Sequence, residues 1–409
     1  MKFKLTKQEK AWILYDIGNS AFILLVATIV PIYFNSLASS AGISNTDYLA
    51  YWGYATSIAT LLVAIIGPIF GSLADTKDFK KPIFTVSMLV GALGCTALGF
   101  TGSWLIFLVI YIIAKVGYSS SLVFYDSMLT DITTDDRMDH VSSYGYAWGY
   151  IGSCIPFVVC LVLVLMGGNW GIPMTTAMTI SFCIIGGWWI LITLPLLKSY
   201  KQKHYVEVKK GAVKESLKRL WQTLLQMSSN KKVFFFLIAF FCYIDGVYTI
   251  IDMATAYGQA LGLDTTGLLL ALLVTQVVAW PFSILFGRLS KKIDSDKLIT
   301  VCIIAYTCIA IYALFLVNLT QFWILAVCVG MFQGAIQALS RSYFAKIIPA
   351  DKSGEYFGIY DICGKGASFL GTTIMGLATQ LTGNANVGIG ALSILFIVGL
   401  YFFRKQAKL

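Results

Sequence analysis

Apolar residues fall along this chain in long blocks separated by short polar breaks. A helix of about 20 apolar residues spans a bilayer. Twelve blocks reach that length, at roughly 11–34, 48–73, 82–101, 104–130, 141–167, 174–197, 233–259, 266–290, 298–317, 321–347, 355–380 and 387–403. One long polar stretch, 198–232, divides them into two groups of six. The pattern predicts an all-α membrane protein of twelve transmembrane helices, with one six-helix bundle over 1–197, a linker over 198–232 and a second bundle over 233–409. Inside the linker, Val213, Leu217, Leu220, Trp221, Leu224 and Leu225 recur at helical spacing, and Lys214, Glu215, Lys218 and Arg219 take the other face. That fits an amphipathic helix on an anionic membrane surface, or a solvated linker helix.

The polar breaks differ in charge, and the difference alternates. Lys2, Lys4, Lys7 and Lys10 precede the first block, and Lys77, Lys80 and Lys81 follow the second. Arg137 follows the fourth, and ten Lys/Arg lie between Lys198 and Lys232. Further clusters end the eighth, tenth and twelfth blocks, whereas the breaks at 36–47 and 168–173 carry no Lys or Arg. Basic residues collect on the cytoplasmic side of membrane proteins, so both termini are expected there. Of the 30 Lys and Arg, Lys115 and Lys365 alone sit well inside blocks.

Composition agrees. The 409 residues are 58% hydrophobic and 12% charged, and the mean hydropathy is +0.77. A soluble chain of this length needs more polar surface. The net charge of +10 is then a topology signal, and no nucleic-acid partner is expected. The first block lacks a small-residue cleavage site after a short apolar core, which marks it as retained. The nine cysteines lie within blocks, so no disulfide framework is expected.

The two groups of six echo each other. Phe70-Gly71-Ser72-Leu73-Ala74-Asp75 follows the second block, and Phe286-Gly287-Arg288-Leu289-Ser290 follows the eighth. Tyr144-Gly145-Tyr146 matches Phe357-Gly358-Ile359 at a similar offset. Paired six-helix repeats around a midplane site are a transporter architecture.

Gly71-Ser72-Leu73-Ala74-Asp75 with Lys77, Lys80 and Lys81 resembles the cytoplasmic loop signature of the major facilitator superfamily. Tyr15-Asp16-Ile17-Gly18-Asn19-Ser20, Tyr243-Ile244-Asp245-Gly246, Gln333-Gly334-Ala335-Ile336-Gln337 through Arg341, and Phe357-Gly358-Ile359-Tyr360-Asp361 extend the match. Together they resemble the vacuole-effluxer-like family, a branch that includes a yeast vacuolar amino-acid effluxer. Gly371-Thr372 departs from the Gly-Pro often found at that place in the family. The resemblance implies transport, outward in direction, with helices 1, 4, 7 and 10 lining a central cavity.

Polar stripes fall on those four helices. Each ionisable group at the bilayer centre costs about 2.5–3.5 kcal/mol on insertion scales, so these groups must face protein or water. Asp16 and Asn19 on helix 1, Lys115 on helix 4, Asp245 and Thr249 on helix 7, Gln333 and Gln337 on helix 10, and Lys365 on helix 11 are candidates for substrate or proton binding. Asp75, Asp126, Asp252, Arg341 and Asp361 are candidates for gating. Asp126 and Arg341 occupy equivalent places in the two repeats, which suggests a pair. Lys365 follows Asp361 by four residues, an order that favours a local pair. Lys115 has no acidic residue within four positions and needs a partner on another helix, or an anionic substrate group.

Charges of both signs suit a zwitterion. The expectation is a monomeric secondary transporter, in the plasma membrane if bacterial. It would move a small amino-acid-like solute by alternating access, with protons as a possible coupling ion and membrane lipids around it. Competing readings are an exporter of amphipathic drugs or lipids and a non-transporting membrane sensor. No enzyme activity, cofactor or metal is expected. Gly364-Lys365 lacks the rest of a phosphate loop, and no His/Cys/carboxylate cluster has zinc spacing.

Overall fold

The computed structural model describes residues 4–43, 45–207 and 230–409, with 218, 220–223 and 225 between them. The amphipathic helix expected over 213–225 lies largely outside the described residues. The fold is helical throughout. Its helices are α1 (Lys7–Ser40), α2 (Asn45–Ala74), α3 (Lys80–Leu98), α4 (Trp104–Ser127), α5 (Asp135–Met166) and α6 (Met174–Ser199). After the linker come α7 (Lys231–Ala260), α8 (Thr265–Leu289), α9 (Ser295–Ala313), α10 (Leu319–Ile347) and α11 (Ser353–Thr382). Ala385–Ala391 and Ser393–Gln406, broken at Leu392, together form α12. Among the described residues, eleven spans are long and apolar enough to cross a membrane, and α11 runs beside them.

Local signals start and stop these helices. Thr6 caps α1 with a full capping box, its Oγ1 accepting from Glu9 N and the Glu9 carboxylate accepting from Thr6 N. Asp264 and Asn318 cap α8 and α10 the same way from one side. Gly383, at φ 66°, ends α11 in the left-handed conformation that favours glycine. Lipid exposure explains the outer surface. Leu61, Val86, Leu105, Val159, Leu191 and Ile394 are all exposed, as apolar residues are when the solvent is hydrocarbon.

The alternation of helix directions places both termini, and the α2–α3, α4–α5, α6–α7, α8–α9 and α10–α11 connections, at one end of the molecule. We call this the terminal end. α5 begins six residues before the sequence boundary of 141, so Asp135, Asp136, Arg137, Asp139 and His140 belong to a spanning helix rather than to a loop. Those residues are polar because their partners lie across the molecule, which an apolar average along one segment does not register.

The two halves meet along two seams at the terminal end. α2 packs on α11, and α5 packs on α8 and α10. Glycine makes the first seam possible. A Cβ on Gly71 would collide with the Gly354 carbonyl, and one on Gly354 would lie 2.5 Å from the Gly71 oxygen. Gly287 serves the second seam, where a Cβ would lie 2.6 Å from the Ser143 Cβ.

Candidate functional site: a central cleft and its latches

Arg341 of α10 is the most heavily engaged charge in the molecule's centre. It is 2% exposed. Its Nη1 donates to Asp126 Oδ1 at 3.0 Å, its Nη2 approaches Asp16 Oδ2 at 3.5 Å, and Nε and Nη2 donate to Ser142 Oγ and O. Trp12, Tyr125 and Tyr146 face the guanidinium at 4.6, 5.5 and 4.4 Å. A planar, weakly hydrated cation tolerates burial when it has both carboxylates and aromatic faces. Asp16, Asp126 and Ser142 belong to the first half and Arg341 to the second, so the group joins the halves. The pairing of Asp126 with Arg341 follows the repeat offset; the aromatic cage and Asp16 were not predicted as its partners.

A second latch lies at the first seam. Asp75 is 1% exposed and accepts from the amides of Gly354 at 2.7 Å and Glu355 at 2.8 Å. A carboxylate at the start of α11 meets unsatisfied N–H groups and the positive end of the helix dipole. Lys80, fully buried, donates to Ser353 Oγ at 2.8 Å and sits 3.6 Å from both Asp75 and Asp131. Ser72 Oγ donates to Glu355 Oε2 at 3.0 Å.

The first part of the linker is built into this latch, and nothing local in the sequence signalled it. Tyr200 OH, the amides of Lys203 and His204, and His204 Nδ1 all bond Asp131, at 2.5, 3.1, 2.9 and 3.2 Å. Val206 N donates to the Asp75 carbonyl at 2.8 Å, and Lys77 N to the Val206 carbonyl at 3.3 Å. Gln202 bonds the Ala74 carbonyl. The segment 200–207 is a strap across the loop that carries Asp75 and Lys80. The hydrogen bond and charge of Asp131 raise the His204 imidazole above its usual value.

The next candidates lie on α4, α7, α10 and α11. Lys115 on α4 is half-buried, with its ammonium 5.4 Å from the Tyr118 ring. Asp252 on α7 is exposed, and the charges of Lys115 and Asp252 interact across the two halves. On the α10 wall, Gln337 Nε2 approaches Tyr150 OH at 3.3 Å. Gln333 is 4% exposed, and its Oε1 has no hydrogen-bond partner. Asp361 is half-buried on α11, within electrostatic reach of Asp126.

The remaining candidates are placed as follows. Asn19 is buried, with its amide donating to the Tyr15 carbonyl of its own helix at 2.8 Å. Asp245 is fully buried and faces α11: it lies against Gly371 and accepts from Thr249 Oγ1 at 3.4 Å. Its Oδ2 has no partner. A Cβ on Gly371 would lie 2.7 Å from Asp245 Oδ1, so the glycine is what admits the carboxylate between the helices. The sequence placed Asp245 and Asp252 on one face; Asp245 is buried against α11, whereas Asp252 is exposed. The side chain of Lys365 lies outside the described residues.

The same arrangement of helices is found in solved transporters. The fucose transporter FucP, in its outward conformation, superposes with a TM-score of 0.72 at 14% identity over 98% of this chain and 97% of that one. The proton:xylose symporter XylE gives 0.71 at 13% identity over 98% and 94%. By sequence, the chain is 41% identical to the uncharacterized MFS-type transporter YxiO of Bacillus subtilis, over 98% of this chain and 95% of that one. It is 22% identical to autophagy-related protein 22 of Kluyveromyces lactis, over 96% and 92%. The model of the family described as "Vacuole effluxer Atg22 like" matches residues 5–405. This chain is therefore a multi-pass membrane transporter of the major facilitator superfamily and belongs to the Atg22-like vacuole effluxer family.

Proposed function

We propose that this transporter moves a small zwitterionic, amino-acid-like solute outward across the membrane by alternating access, coupled to protons. The observation that carries the reading is Lys115 and Asp252. They present opposite charges from opposite halves, with Asp252 exposed and Lys115 half-buried. A carboxylate on Lys115 and an ammonium on Asp252 would each meet an opposite charge. Asp16 and Asp126 start about 16 Å further down, judging from the rise between Lys115 and Asp126 on one helix, and are engaged with Arg341. They serve the gate.

In this reading Asp75, Asp126 and Arg341 hold the terminal end shut, and that end is cytoplasmic by its basic residues. Segments 1–197 and 233–409 rock as units about the linker 198–232, and one chain suffices. Tyr150, Gln333 and Gln337 supply neutral hydrogen-bonding groups to the solute. Asp245, with one oxygen free of partners, is assigned the coupling proton. The outward direction rests on the effluxer relatives.

Counterflow and proton flux in proteoliposomes with an amino-acid panel test the reading. Exchange of at least one zwitterion is expected, with loss in Asp245→Asn at unchanged expression. Flux of no zwitterion at all removes the substrate class, and normal flux in Asp245→Asn removes that residue from coupling. A second reading, export of amphipathic compounds, is favoured by one feature. A small apolar cavity of about 50 Å³ is lined by Ile250, Ile251, Leu272, Phe322, Val329 and Gln333, side chains that would have to part to admit such a compound. Competition by hydrophobic cations would select that reading.

A further inference from the structure

The first turns of α5 are plugged into the second half at closely spaced positions. His140 Nδ1 donates to the Gly287 carbonyl of α8 at 2.9 Å. Ser142 Oγ donates to the Ala338 carbonyl of α10 at 2.7 Å. Asp139, 7% exposed, accepts from Ser295 Oγ at 2.5 Å, Ser342 Oγ at 2.6 Å and Lys346 Nζ at 2.7 Å. Lys346 Nζ also reaches Ser295 Oγ at 3.0 Å. One carboxylate of the first half thus collects the start of α9 and the end of α10.

The repeat explains why it is needed. Asp75 lies four residues after Gly71, and the position four after Gly287 is Lys291. The second half therefore has a lysine, not a carboxylate, at the position that matches Asp75. Asp139 supplies the carboxylate from the opposite side of that seam. Both seams then use a carboxylate of the first half against donors of the second. The donors differ. Asp75 binds two backbone amides with Lys80 of its own half nearby, whereas Asp139 binds two hydroxyls and an ammonium, all from across the seam.

We propose that Asp139 is a gating residue, paired with Lys346, which latches the α5–α8–α10 seam as Asp75 latches the α2–α11 seam. The proposal rests on the alternating-access reading. In the transport cycle, Asp139 must release Ser295, Ser342 and Lys346 each time the terminal end opens. An asparagine keeps the shape and one acceptor oxygen but loses the charge that holds Lys346, and charge-assisted hydrogen bonds are the stronger kind.

Ser143, fully buried beside Gly287, is a reporter of that seam. The test uses the full chain bearing Ser143→Cys in lipid nanodiscs, with maleimide modification at residue 143 read by peptide mass. Asp139→Asn and Lys346→Gln should each raise the labelling rate by about tenfold or more, as a shift toward the open seam requires. The exchange Asp139→Lys with Lys346→Asp should return the rate toward the parent value, which a merely structural loss would not do. Unchanged labelling in both single variants, with a rise in Asp75→Asn, overturns the Asp139 latch and leaves alternating access standing. Unchanged labelling in all three overturns both. Should Asp139→Asn fail to accumulate, Lys346→Gln and the exchanged pair decide the matter by the same rates.

Discussion

At the scale of single residues, the closed seam depends on atoms that are missing. Gly71 and Gly354 each lie where a Cβ would strike the other's backbone. Backbone cannot rotate away as a side chain can, so α2 and α11 would have to separate. Gly71→Ala or Gly354→Ala is expected to cost about 1–3 kcal/mol of the closed state, the usual range for forced overpacking. Thermal unfolding and labelling of Ser143→Cys would register it, with Gly53→Ala as control, since nothing lies within 4 Å of that position. A control that falls as far as Gly71→Ala would show general helix sensitivity rather than a specific approach. The glycine was legible in the sequence because it recurs near the end of α8 as Gly287. The charges were legible unevenly. Asp126 and Arg341 were found as a pair because the repeat aligns them. Asp139 was passed over because it sits in a polar run that read as a loop, and its partners are 156 to 207 residues away. Periodicity placed Asp245 on a helix face, but which neighbour that face meets is settled by packing against α11.

At the scale of elements, the linker is the case where sequence and structure part most. Apolar blocks reveal the twelve helices because a bilayer demands about 20 apolar residues in a row. The strap 200–207 has no such demand on it. Its bonds run from its own backbone to Asp131 and Asp75, and backbone groups leave no trace in residue type. Only His204 and Tyr200 carry side-chain chemistry toward Asp131. His204 makes the strap sensitive to pH. Asp131 faces it with Tyr200 on the same carboxylate, and Lys80 and Lys203 oppose it. The imidazole is raised above its usual value of about 6.5 by Asp131. A raised value in the strapped state means that protonation favours strapping. The contribution is complete below about pH 6.5 and is lost as pH rises through the raised value. The expected result is a higher melting temperature for the parent than for His204→Gln near pH 6, with the gap narrowing as pH rises through the raised value. A gap independent of pH would remove the charge from the account and leave only the hydrogen bond. The imidazole is 44% exposed, so salt should narrow the gap further.

At the scale of the whole molecule, the three latches bear on the proposed balance between two states. The terminal end is held by Arg341 with Asp16 and Asp126, by Asp75 with the start of α11, and by Asp139 with Lys346. Toward the other end, Lys115 and Asp252 carry opposite charges on opposite halves. A hydrogen bond to a charged group contributes about 1.5–3 kcal/mol. Reversing a two-state population from 1:99 to 99:1 takes about 5.5 kcal/mol. One latch lost should therefore leave a mixture, and two lost should turn most molecules over. Spin labels at Ser40, at the far end of α1, and Gln380, at the far end of α11, are both exposed and report the width of the cleft mouth. The parent should show mainly the long separation. Asp75→Asn or Asp139→Asn alone should add a shorter one, and the two together should make the shorter one dominant. If the double variant keeps the parent's distribution, the latches do not set the balance, and the energy that holds the terminal end shut must lie in the apolar contacts of the seams.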